Sequence, residues 1–225
     1  MRKALPIVFL LALITTSCGE SKIPEGEITY EITYPHMEVT GLMSAILPKE
    51  MTIVFKGTQM KTTISRGHIF ETDVVTNEAN ESIEMRLDFG DKKYFCPLTK
   101  AEIKELRNTQ PVYTINKTDE QDSIAGLWCT KYNVSSKDSI QPDAAWFTED
   151  LSVQNGAWFS AYNSVTGMPV VYDVERYGLM MHVSATNFIK RKVKDNEFDR
   201  PSELTKVDFS TYETEVQELF DILLD

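Results

Sequence analysis

Glu27-Ile-Thr-Tyr-Glu-Ile-Thr-Tyr34 decides how this chain folds. Ile28, Tyr30, Ile32 and Tyr34 alternate with Glu27, Thr29, Glu31 and Thr33. A period of two is a strand with one buried face and one wet face. Pro35, which has no N–H to give a ladder, ends the run. The same signal then recurs downstream. Met51–Phe55 and Met60–Ser65 flank Lys56-Gly57-Thr58, a hairpin pattern. His68–Thr76, Ser82–Phe89 and Lys92–Cys96 follow, separated by residues 77–81 and by Gly90-Asp91. Val112–Asn116, Leu127–Val134, Ala157–Tyr162, Pro169–Glu175 and Gly178–Ile189 also read as strands, while Trp146–Leu151 stands between strand and turn.

Helical signals are few. Met37–Leu47 is apolar without alternation and suits one or two helical turns. Thr99 and Glu102 form a capping box for a helix over 100–107. Ser210 and Glu213 suggest a second box. Beyond it Tyr212, Val216, Leu219, Phe220 and Leu223 recur at helical spacing, which places a C-terminal helix at 211–224. The expectation is a mainly β (α+β) fold. It is a single curved antiparallel sheet, a half-barrel of about nine to eleven strands, with one or two short helices and the C-terminal helix. A sheet of that size must curl.

The N-terminus carries an address. Arg2 and Lys3 precede the apolar run Pro6–Ile14, and Thr15, Thr16 and Ser17 lead to Cys18. The pattern is a secretory signal peptide over 1–17. Its apolar run falls short of the roughly 20 residues of a membrane-spanning helix. A cysteine at the cleavage point resembles the bacterial lipoprotein signal, which makes Cys18 the lipidation site and the membrane the first partner. Residues 18–26 then read as a flexible tether and 27–225 as a single domain. Gly19 stands where an Asp would favour inner-membrane retention, so the expected location is the cell envelope, at the outer membrane facing the periplasm.

Composition narrows the function classes. The 225 residues carry a formal net charge of −11, which repels phosphate backbones and speaks against nucleic acid. His36, His68 and His182 lie outside any metal-ligand spacing, and no phosphate-binding loop or nucleophile elbow occurs. No catalytic residue, metal or cofactor is therefore assigned. With Cys18 acylated, Cys96 and Cys129 can form one disulfide or stay as two buried thiols. Leu42, Met43, Ile46 and Leu47, with Trp158 and Phe159, can fill a core or line an apolar cavity.

Several segments also carry a resemblance. Ile124-Ala-Gly-Leu-Trp-Cys-Thr-Lys-Tyr132 resembles a strand of a lipoprotein family of Gram-negative bacteria whose function is undefined. Met51–Gly57, Trp146–Leu151, Gly167–Tyr172 and Phe188–Val193, with Phe198 and Pro201, fit other parts of it. That family is similar in expected fold to the LolA/LolB-like lipoprotein carriers, half-barrels whose helices plug an apolar concavity. The resemblance implies an acyl chain or other apolar ligand in the concavity and brings no catalytic residues. The resulting expectation is a non-enzymatic, anchored lipoprotein that binds an apolar ligand or assists the handling of envelope components. The alternative is an interaction module that docks an envelope protein through its outer surface or C-terminal helix.

Overall fold

The computed structural model describes residues 22–136 and 144–224. The signal peptide and Cys18 lie outside the described residues. Strand β1 (Glu25–Thr33) is followed by helix α1 (Gly41–Ile46) and a run of hairpins: β2 (Glu50–Lys56), β3 (Gln59–Arg66), β4 (Phe70–Asn77), β5 (Ser82–Phe89) and β6 (Lys92–Pro97). Helix α2 (Lys100–Asn108) leads into a second run, β7 (Tyr113–Ile124), β8 (Leu127–Ser136), β9 (Ala145–Thr148), β10 (Met168–Arg176) and β11 (Leu179–Ile189). A 3-10 turn (Asp195–Phe198), β12 (Thr205–Lys206) and helix α3 (Phe209–Leu224) complete it.

All twelve described strands form one open sheet in the order β12-β6-β5-β4-β3-β2-β1-β11-β10-β9-β8-β7. Every ladder is antiparallel except β12 with β6. β1 is the seam. It pairs with β2 on one side and β11 on the other and so joins the two meanders. Ile28, Tyr30, Ile32 and Tyr34 are all at most 9% exposed. Each such apolar side chain taken out of water contributes roughly 1.5–3 kcal/mol. The Tyr30 hydroxyl, buried with its ring, donates to the Pro169 carbonyl at 2.9 Å, which leaves no orphan donor in the seam.

The sheet curls. β5 and β10 stand six places apart in the strand order. In a flat sheet that is about 29 Å at the usual spacing of neighbouring strands. Yet two consecutive residues of α3 reach both: Tyr212 donates to the Arg86 carbonyl at 3.1 Å, and Glu213 accepts from Arg176 at 2.9 Å. A helix is only about 10–12 Å across, so the two meanders bend toward each other around it, consistent with a half-barrel. On the outer face residues 190–200 form a strap. Arg191 meets Glu27 and Glu197, Glu25 accepts from Lys192 and from the Val193 N–H, and Arg86 donates to the carbonyls of Phe198 and Asp199. Val193 and Phe198 close over Val54 there.

The structure departs from the sequence reading in four places. The described residues hold twelve strands rather than about nine to eleven, because two-residue β12 is too short to show a period. β1 begins at Glu25, so residues 22–26 of the expected tether belong to the fold: Ile23 donates to the Asp150 carbonyl and accepts from the Ser152 N–H. Ala157–Tyr162 is not a strand. Its N–H groups close successive turns, Ser160 to Ala157 and Val165 to Tyr162, and its aromatic side chains mimic strand composition without strand spacing. Finally, α3 starts at Phe209 and its cap is Asp208, whose carboxylate accepts from the Thr211 N–H and the Ser210 hydroxyl, each at 2.8 Å. Glu213 faces Arg176 instead of serving a capping box.

Candidate functional site

The site most able to act is the concave face and the helix within it. α3 buries Tyr212, Val216, Leu219 and Phe220, at spacings that put them on one stripe. They join one continuous core with β1 to β6, β8, β10 and β11. Phe220 stacks on Tyr177 with ring centroids 4.9 Å apart. α2 closes the neighbouring wall with Ile103 and Leu106, and its Thr99–Glu102 capping box is present as the sequence indicates.

A polar latch surrounds this apolar stripe. Arg176 donates to Glu213 at 2.9 Å and to the Tyr177 hydroxyl at 3.0 Å, and that hydroxyl donates to Glu213 at 3.1 Å. Burial pushes the Tyr177 phenol up to about 12, so it remains a donor at neutral pH. On the opposite flank Lys92 pairs with Glu215 and Glu218. Those carboxylates hold the Lys92 ammonium charged well above its ordinary range. An open cleft of about 590 Å³ runs between α2, the β10–β11 turn and α3. Thr109, Gln110, Arg176 and Glu213 give it a polar wall.

Of the residues expected to line a cavity, Ile46, Leu47, Trp158 and Phe159 are part of the core. Leu47 is fully buried, Trp158 is 5% exposed, and Ile46 and Phe159 pack against the same cluster. Trp158 meets Phe159 edge-on at 5.5 Å, and the Arg107 guanidinium lies 5.0 Å from its ring centroid. The side chains of Leu42 and Met43 lie outside the described residues. The concavity is occupied by the chain's own helices. Sequence reasoning did not find the Arg176–Tyr177–Glu213 latch, whose members lie 36 and 37 residues apart and show no local pattern.

Little reactive chemistry accompanies the site. Cys96 and Cys129 are both buried free thiols, so of the two readings the unbridged one describes the structure. Burial pushes each thiol up to about 11, which keeps them protonated and poorly nucleophilic at neutral pH. Among the described residues no cluster of His, Cys, Asp and Glu could hold a metal ion. His182 Nδ1 lies 2.7 Å from Asp173 Oδ1 as a cross-strand pair between β10 and β11, on the face opposite Met181 and Val183.

No family model matches the chain, and no curated protein matches it. Among solved structures it is similar to a LolA superfamily protein of Nitrosomonas europaea. The match has 11% identity over 79% of this chain and 91% of that one, with a TM-score of 0.21.

Proposed function

We propose that this protein is a non-catalytic lipoprotein, anchored through Cys18 at the periplasmic side of the outer membrane. It binds an acyl chain or similar apolar molecule in the space that α3 occupies. The observation that carries this reading is the contrast between the two sides of α3. Its buried stripe of Tyr212, Val216, Leu219 and Phe220 has the chemistry of the ligand itself. Its rim is held by partly exposed ion pairs, each of which contributes about 1 kcal/mol or less. Displacing the helix exchanges one apolar occupant for another and breaks these ion pairs and the buried Tyr212–Arg86 hydrogen bond, itself worth about 1 kcal/mol net.

Mass spectrometry of lipids co-purifying with soluble Cys18→Ser protein tests the reading, with acyl lipids the expected finding. A variant carrying Arg176→Cys and Glu213→Cys, joined by a short bifunctional thiol crosslinker to tie α3 down, loses the lipid, while the same variant without the crosslinker keeps it. Absence of lipid from both the free and the tied protein favours the alternative, in which the filled sheet is an interaction module for an envelope protein.

A further inference from the structure

Trp128 is the one tryptophan of three that faces solvent, at 55% exposure. It sits in β8 just past the β7–β8 turn, where Ala125 and Gly126 both take positive φ. Its neighbours Leu127 and Cys129 point into the core, so the indole points away from it. Asp150 ties this residue to the start of the domain. The Asp150 carboxylate accepts from the Trp128 N–H at 2.7 Å, and its carbonyl accepts from the Ile23 N–H at 2.7 Å. Lys22, Ile23 and Trp128 consequently border one groove, with Glu149 and Asp150 on its rim.

We propose that this end of the sheet seats on the bilayer that carries the anchor, with Trp128 at the headgroup level. The inference rests on the acylation of Cys18 in the proposed function. The four steps along the chain from Cys18 to Lys22 span at most about 14 Å, so a lipid on Cys18 holds the Trp128 end close to the membrane. Indole rings favour that interface, with an apolar body and a single N–H donor. The rim carboxylates suit zwitterionic headgroups and disfavour anionic ones. The acyl chains supply the attachment, and Trp128 sets which end of the domain faces down.

The test uses the full acylated protein in vesicles of phosphatidylcholine and phosphatidylethanolamine whose acyl chains are brominated near the headgroup. Quenching is expected to remove about a third of the tryptophan emission, the share of one residue in three. In Trp128→Phe protein the quenchable part should vanish while the protein stays vesicle-bound. Unquenched emission from protein whose N-terminal peptide carries acyl chains overturns the seat alone and leaves Trp128 as a contact for a protein partner. An unacylated Cys18 overturns the anchored reading and the seat with it.

Discussion

α2 and α3 both fill the curl with two or more buried apolar residues, but the chain holds them differently. α2 is tied at both ends, to β6 through Thr99 and to β7 within a few residues of Asn108. Its capping box satisfies its first turn locally. α3 enters the curl through β12 and Asp208, and its body is held there by the stripe and the latch. Moving α2 would drag two strands with it. Moving α3 breaks its side-chain contacts to β5, β6 and β10 but shifts only the two-residue β12, the parallel addition at the sheet edge. On the proposed reading, one helix is a wall of the domain and the other is a plug.

Substitutions can break that distinction. Leu106→Asp buries a charge in the wall and should cost about 4 kcal/mol or more. Loss of the far-ultraviolet β signal or insoluble protein would register it. Leu219→Asp places the same charge under the plug. The expected outcome is an undocked α3, with the β signal retained and binding of a hydrophobic dye increased. If Leu219→Asp instead unfolds the whole domain, α3 is also a wall and the proposed ligand exchange at α3 fails.

Smaller changes sharpen the contrast. Glu213→Gln weakens the latch by about 1 kcal/mol or less, because the pair is about a third exposed. Hydrogen exchange should quicken across α3 amides and stay unchanged in α2. Acid should then loosen both helix starts slightly. Hydrogen bonds from Thr99 hold Glu102 below the ordinary carboxylate range, and those from the Thr211 N–H and Ser210 do the same for Asp208. Both folded values are depressed, so the stabilisation is complete above the ordinary values of 4.5 and 3.8. It is lost as pH falls through the folded ones. Melting temperatures recorded from about pH 6 down to pH 2 should fall, with the caps contributing only below about pH 4.5. An unchanged slope in Asp208→Asn protein would remove the α3 cap from that account.

The sequence made the sheet legible because period two is a local signal. Every apolar residue of the seam strand is buried, and the hairpins at Gly57 and Gly90 fall where the turn residues place them. The α2 cap was equally local. Long-range features were not legible. The Arg176–Glu213 latch and the grip of Arg86 on the strap join residues that share no spacing. The turns at 157–165 hide behind aromatic composition. Gly167 shows the intermediate case. Its sequence marks a turn, but only the structure shows why a larger residue fails: φ is +101°, and a Cβ would collide with the Thr148 carbonyl.

The pinning of Ile23 beside Leu151 has a mechanical side. Two residues later the chain becomes the seam strand, bonded to β2 and β11 along its length. A tug from upstream of Lys22 therefore runs along the strand axis and strains both ladders in shear together instead of peeling them one bond at a time. Under the proposed anchoring, a jolt at the membrane loads the central strand first and reaches α3 only after the centre of the sheet gives way.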